Sequence, residues 1–309
     1  MRMRASLLLF LHVARARRGG WCDNATLPSP RASPCQRYKG DGWRNFQRTL
    51  AKDAAAHPTN PNHEPRLVLI GDSITEALRG TEVGTTSPRT TGVQTALLST
   101  LALDFASPLV LAISADETQH VLWRLRYGTE LQPALAADRA LIVSLLIGTN
   151  NLGNAKHSVE HTVAGVIAVA RELLERTHAR VLVNALLPRG KCPPTHCKQR
   201  RNYVTLIPAV DATNALVNAT IRSDLRAQYH DRIAFVDCGH VFRRPPPEEV
   251  DLSLMPDALH PNVEGSIRWC QCLRRALQPW RSAIVSAKVA RAATRARHAL
   301  TRHPSLRLD

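Results

Sequence analysis

Five short apolar runs constrain what this chain can fold into: Leu67-Val-Leu-Ile70, Leu109-Val-Leu-Ala-Ile113, Leu141-Ile-Val-Ser-Leu-Leu-Ile147, Val181-Leu-Val-Asn-Ala-Leu-Leu187 and Ile233-Ala-Phe-Val236. A strand that is apolar at successive positions has no face to offer to water, so it must be covered on both sides, as in a parallel sheet. Between the runs, His120 to Tyr127, Val159 to Glu175 and Leu206 to Leu225 carry apolar residues at helical spacing, and Val263 to Leu277 reads as a closing helix. Strand and helix in alternation predict one α/β domain over residues 66–280. With 309 residues, 44% of them hydrophobic, the chain has enough apolar material for one substantial core.

The two ends read differently. Residues 1–20 follow the order of a secretory signal: basic Met1-Arg-Met-Arg4, an apolar run from Ala5 to Ala14, then Arg15, Arg17, Arg18 and the small pair Gly19-Gly20. The apolar run is far shorter than the ~20 residues a spanning helix needs. A frayed helix or an organelle-targeting peptide is the alternative, since the segment is Arg-rich and free of acids. Residues 21–65 hold Pro28, Pro30, Pro34, Pro58, Pro61 and Pro65 with little periodicity, and are predicted to be an irregular lead-in that a Cys22–Cys35 bridge would pin. Asn24-Ala-Thr26 and Asn218-Ala-Thr220 are glycosylation acceptors, and seven cysteines agree with an oxidising, secreted setting. Residues 281–309 form an Ala/Arg-rich basic tail, expected to be a solvated helix or disordered.

A net charge of +16 suggests nucleic acid or an anionic surface as partner. Its distribution argues otherwise. The first 20 residues carry five arginines and no acid, and the tail carries seven basic residues and one acid, which leaves +5 on residues 21–280. Only six of the basic residues are lysines, which points to an arginine-biased composition. Aromatic residues, 5% of the chain, are too few for a base-stacking platform, and glycine-rich phosphate loops are absent. Nucleic acid is therefore excluded as the expected partner, while the tail keeps the option of touching an anionic wall or membrane.

In a parallel sheet, chemistry belongs at the carboxyl ends of the strands. Directly after the first run stands Gly71-Asp72-Ser73, where a serine on a tight turn at a helix start has an exposed Oγ and a backbone N–H aimed at a forming oxyanion. The plain alternative is that Asp72 or Ser73 only caps that helix. The third run ends in Gly148-Thr149-Asn150-Asn151, and an Asn amide there can donate to an oxyanion. Before the last helix comes Asp257-Ala-Leu-His260, in which the carboxylate can hold the Nδ1 proton and turn Nε2 toward a serine. Each signal is weak alone, but all three fall in order at strand or helix ends.

These blocks resemble those of the SGNH (GDSL) hydrolase superfamily. The stretches His120-Val-Leu-Trp-Arg-Leu125, Gly148-Thr-Asn-Asn151 and Leu186-Leu-Pro-Arg-Gly190 are similar to the catalytic subunits of intracellular platelet-activating-factor acetylhydrolase, over about residues 66–277. The resemblance implies a flavodoxin-like three-layer α/β/α fold with a five-stranded parallel sheet. It also implies hydrolysis of esters, with short acyl groups favoured, and neither metal nor other cofactor. Ser73 would be the nucleophile, His260 the general base and Asp257 its orienting partner, with an oxyanion hole from the Ser73 N–H and the Asn150 amide. A third donor departs from the family pattern: the second block, Ile113-Ser114-Ala115-Asp116, has Ala115 where the family has glycine. If that glycine needs a positive φ, the loop must shift or strain, and losing one donor costs roughly 10² to 10³ in rate. The expectation is an active but slow esterase, with a catalytically weak or inactive glycan- or lipid-binding relative as the alternative.

Two rival metal readings lose on position. His157-Ser-Val-Glu160-His161 fits an H-x-x-E-H zinc pattern, but both histidines fall opposite the stripe Val159, Val163, Val166, Ala170 and Leu173 and should lie in solvent. Cys192-Pro-Pro-Thr-His196-Cys197 lacks a second Cys/His pair and reads better as a local disulfide. Cys270 and Cys272 sit two apart on a helix and point in different directions, so they do not easily bond each other; one of them is available to Cys238, with packing without any bond as the alternative.

Overall fold

The computed structural model describes residues 40–57, 59–196, 204–244 and 249–302. The signal segment, Cys22, Asn24, Cys35 and Cys197 lie outside the described residues. Five strands, β1 (Arg66–Gly71), β2 (Leu109–Ala112), β3 (Leu141–Leu146), β4 (Arg180–Asn184) and β5 (Ile233–Val236), form one parallel sheet in the order β2-β1-β3-β4-β5. That order is the flavodoxin-like one, and it reverses direction at β1, where ligands collect outside the carboxyl ends of the strands.

The helices that bear on the site are α1 (Gly40–Ala56), α2 (Ser73–Glu76), α3 (Gln94–Leu98), α4 (Thr118–Arg126), α5 (Thr149–Gly153), α6 (Val159–Arg176), α7 (Ile207–Thr220) and α8 (Val263–Arg302). Alternate residues of β1 feed two separate cores. Leu67 and Leu69 join Ala96 and Leu97 of α3 and Trp269, Leu273 and Leu277 of α8. Val68 and Ile70 join Trp43 and Leu50 of α1, Val121 and Leu125 of α4 and Val166 and Leu173 of α6. The sheet is thus covered on both faces, which is why its strands read as unbroken apolar runs.

Two details differ from expectation. The segment expected to be irregular contains α1, whose Trp43, Phe46, Leu50 and Ala54 are buried at helical spacing. The flanking prolines hid this signal, although none lies within the helix itself. The closing helix does not stop at Leu277 but runs through Pro279 to Arg302. Ile284 is the last buried residue on it, so the basic part of the tail is a solvated helix as far as it is described. A single π-turn, Ile221–Leu225, continues α7 and explains why the sequence reads as one helix up to Leu225.

Cys238 is bonded to Cys272 with a Cα–Cα separation of 5.9 Å, while the neighbouring Cys270 is a free, buried thiol. Burial pushes the Cys270 thiol up to about 12, which makes it an inert core residue. Cys192 is also disulfide-bonded, and its expected partner Cys197 lies outside the described residues. Among the described residues no helix is long and apolar enough to cross a membrane.

Candidate active site

Ser73 follows β1 at the first position of α2. Gly71 is required just before it, because a Cβ there would meet the Leu146 carbonyl oxygen at 2.5 Å and the Thr75 hydroxyl. Asp72 caps the helix, with Oδ1 accepting the Ile74 N–H at 3.1 Å, so the capping role falls to Asp72 and leaves the Ser73 hydroxyl free for other work. That hydroxyl lies 2.9 Å from Nε2 of His260. On the other side of the ring, Nδ1 is 2.6 Å from Asp257 Oδ2, and Asp257 Oδ1 accepts the backbone N–H groups of Leu259 and His260 at 3.1 and 2.7 Å.

Electrostatics fix the tautomer. Burial would raise the Asp257 carboxyl, but the hydrogen bonds and charge of His260 and the Leu259 N–H bring it down to about 2. An ionised carboxylate only accepts, so Nδ1 carries the proton and Nε2 accepts from the Ser73 O–H. Chemically, this chain can take the serine proton and stabilise the resulting imidazolium.

The strand order β2-β1-β3 sets two further residues on either side of Ser73. Ala115 follows β2 and Asn150 follows β3, flanking Ser73. The Asn150 amide is oriented by its neighbours: Nδ2 donates to the Asp116 carbonyl at 2.9 Å and Oδ1 accepts from Asn154 Nδ2 at 3.0 Å. The second Nδ2 hydrogen remains for a ligand. Gly148, before α5, has φ +130, and a Cβ there would press on Thr162, Val166 and Leu186. The N–H groups of Ser73 and Ala115 have no backbone partner among the described residues, which suits donors kept for a developing charge.

Ala115 has φ +63, in the left-handed region that disfavours a Cβ. Such a residue costs about 1–2 kcal/mol and persists only where its surroundings hold it. Here the carboxylate of Glu76 does so from α2: Oε2 accepts the Ser114 N–H at 2.6 Å and the Ser114 hydroxyl at 2.7 Å, while Oε1 accepts the Gly84 N–H and the Thr81 hydroxyl, both at 2.9 Å. The loop thus strains rather than shifts. Ala115→Gly should raise thermal stability by about 1 kcal/mol and preserve or raise turnover, measured by melting and steady-state kinetics. A sharp loss of turnover would mean that Ala115 does not stand at the place of the family's glycine.

Asp72 has a second consequence. It is fully buried, Oδ2 has no hydrogen-bond partner, and burial pushes its carboxyl up to about 7 from 3.8. Between those two values the folded protein keeps a proton that the unfolded chain releases, so stability falls as pH rises through this window. Asp72→Asn retains an oxygen for the Ile74 N–H. Compared with wild type, it should gain up to about 4 kcal/mol of relative stability between pH 4 and pH 8 in denaturant titrations.

Sequence reasoning missed the residues that brace the site. Glu76 looks like an ordinary helix residue in sequence. Arg189 is almost wholly buried and donates to the Thr149 carbonyl at 2.9 Å, while the Gly190 N–H donates to the Ala258 carbonyl at 2.9 Å. The Leu186 to Gly190 stretch therefore ties the Asn150 turn to the Asp257–His260 loop. His161 is exposed on α6 as expected, but His157 precedes the helix and is half-buried, with Nδ1 3.2 Å from Asn151 Nδ2. No cluster of three metal-ligating groups occurs among the described residues. A cavity of about 740 Å³ opens at the amino-terminal ends of β1 and β2, lined by Asp53, His57, Arg79 and Leu97, and includes none of the site residues.

Comparisons with known proteins give the family. The family model described as GDSL-like Lipase/Acylhydrolase matches residues 69–266. Platelet-activating factor acetylhydrolase IB subunit alpha1 of Bos taurus is 34% identical over 208 residues, covering 66% of this chain and 72% of that protein. The alpha2 subunit of Gallus gallus is 30% identical over 203 residues, covering 65% and 69%. Among solved structures, a putative acylhydrolase from Bacteroides fragilis superposes with a TM-score of 0.55 at 19% identity, covering 77% of this chain and 98% of that one, a likeness of fold. The chain therefore belongs to the GDSL-like lipase/acylhydrolase family and is a hydrolase of ester bonds.

Proposed function

We propose that the protein is a serine esterase that cleaves short-chain, acetyl-type carboxylic esters through Ser73, His260 and Asp257. The observation that carries this reading is the continuous chain from Ser73 Oγ to His260 Nε2 at 2.9 Å and from His260 Nδ1 to Asp257 Oδ2 at 2.6 Å. Ser73 Oγ attacks the ester carbonyl as His260 takes its proton. The negative charge on the carbonyl oxygen is met by the N–H groups of Ser73 and Ala115 and by the Asn150 amide. Collapse expels the alcohol, which receives the proton from His260, and water activated by the same imidazole then releases the acid and restores Ser73.

The acetyl preference is supported by the names of the curated relatives, which are acetylhydrolases. A series of p-nitrophenyl esters from acetyl to palmitoyl tests it, with the highest kcat/KM expected at acetyl. Labelling by an organophosphonate tests the chemistry. A covalent adduct on wild type that is absent from Ser73→Ala supports the enzyme, whereas a folded, unlabelled protein that binds glycan or lipid supports the non-catalytic alternative.

The secretory pathway is the compartment we propose, supported by the Cys238–Cys272 bond. Of the two acceptors, Asn218 lies half-buried on α7, and a glycosidase-induced mobility shift lost in Asn218→Gln would establish its use. The exposed Arg291, Arg295 and Arg297 at the end of α8 suit an anionic surface. Truncation after Ser286 should abolish salt-sensitive binding to anionic vesicles and leave hydrolysis intact.

A further inference from the structure

Helix α1 lies before the family-matched residues 69–266, yet its buried face reaches the loop that carries Ala115. Trp43 is buried, and its Nε1–H donates to Asp116 Oδ1 at 2.7 Å. The other carboxylate oxygen pairs with Arg124 Nε at 2.9 Å. Arg124 is itself fully buried: Nη1 meets Glu130 Oε2 at 2.6 Å, and the guanidinium donates to the carbonyls of Leu111 at 3.3 Å and Gly71 at 3.4 Å. One arginine thus touches the carboxyl ends of β1 and β2, two of the three strands that lead to the site. From α1, Gln47 braces the far end of this network, donating to the Gly128 carbonyl at 2.5 Å and to Glu130 Oε1 at 3.3 Å.

Asp116 acts on the site through its main chain. Its carbonyl oxygen accepts the Asn150 amide, and its N–H closes the turn back to Ile113 O at 3.1 Å, with the left-handed Ala115 inside that turn. The donors to the Asp116 carboxylate, Trp43 and Arg124, therefore set the position of a residue that both orients the Asn150 amide and adjoins the Ala115 N–H. Glu76 holds the opposite end of the same turn at Ser114. A conformation with a positive φ at alanine stays put only when it is held from both sides.

We propose that Trp43 is a positioning residue for the oxyanion hole, acting through the Asp116 carboxylate on the Ala115 N–H and the Asn150 amide, so that α1 is part of the catalytic unit. The proposal rests on the serine-esterase reading above. Trp43→Phe keeps a ring between His120 and Trp123, whose rings lie 6.4 and 5.6 Å from that of Trp43, but removes the N–H and leaves Asp116 Oδ1 without this donor. Displacement of a transition-state donor lowers kcat more than it raises KM, because the ground-state carbonyl needs the donor less.

The experiment measures kcat and KM on p-nitrophenyl acetate with the full chain, per active site titrated with an organophosphonate, well below each variant's melting temperature. Trp43→Phe should lower kcat roughly 10- to 100-fold and leave KM within about two-fold. In an Asn150→Ala background the same substitution should cost less than half as much on a logarithmic scale, since both act on one group of donors. A lower melting temperature with kcat per titrated site unchanged would overturn the proposal, as would full additivity with Asn150→Ala. If Trp43→Phe does not fold, Asp116→Asn, which keeps the main-chain contacts and side-chain shape, is held to the same two criteria. Failure of the underlying reading is distinguishable, because wild type would then show neither labelling of Ser73 nor ester turnover.

Discussion

His260→Ala is expected to lose essentially all ester hydrolysis, a fall of roughly 10⁴-fold or more in kcat, while the protein stays folded. The imidazole is the only group with a hydrogen bond to the Ser73 hydroxyl among those described, and without it a serine must surrender its proton to water. The ring is also partly exposed at the surface of the site, so its truncation opens no deep core cavity. Asp257→Asn should lose comparable or less activity, because Asp257 acts through the imidazole. An amide NH₂ facing Nδ1 favours the tautomer that places the proton on Nε2, where it blocks the serine. The measurement is kcat/KM on p-nitrophenyl acetate together with a melting curve for each variant. Wild-type rates in both would end the assignment of the triad.

Asn150→Ala should lower kcat by about 10²- to 10³-fold with a small change in KM. Its amide is buried, pinned at both ends by Asp116 and Asn154, and it follows β3, the strand paired with the one that leads to Ser73. A donor held in this way costs no reorganisation when charge appears on the carbonyl oxygen, which is why its contribution falls on the transition state. Asn150→Asp is the sharper variant. It keeps the shape of the side chain but puts a carboxylate where a donor is needed, so the loss should exceed that of alanine above the carboxylate's titration. Equal kcat in wild type and Asn150→Ala would remove this residue from the oxyanion hole and leave the two backbone N–H groups.

The two variants test opposite ends of one arrangement. In the proposed reaction His260 governs the proton and Asn150 the charge, and their positions come from different parts of the chain. Asp257, Leu259 and His260 form a local turn that sequence spacing alone makes plausible, since a carboxylate three residues before a histidine reaches both its backbone N–H and its ring. Ser73 and Asn150 come to the same end of the sheet because β1 and β3 are neighbours in register, Gly71 beside Leu146.

Sequence by itself determined the layout. The apolar runs became the five strands with boundaries shifted by three residues or fewer, because a strand covered on both faces cannot hide its composition. Gly71, Gly148, Ser73, Asn150 and the Asp257–His260 pair were legible because each follows or precedes an element that the pattern already marks. Helix α1 was overlooked although Trp43, Phe46, Leu50 and Ala54 share one helical face, since prolines on either side of it drew the segment toward a loop. The extension of α8 past Pro279 was equally hidden, because a proline normally signals a stop.

Only the tertiary structure decided how the site is held. No periodicity reveals that Glu76 joins two loops, that Arg124 spans two strand ends, or that Trp43 reaches across 73 residues of chain to Asp116. These are long-range contacts of buried polar groups, and a buried donor or carboxylate takes whichever partner the packing brings near it. Nor does sequence state the sign of φ at Ala115. That angle follows from the path between β2 and α4, which the strand order sets beside the turn that carries Ser73.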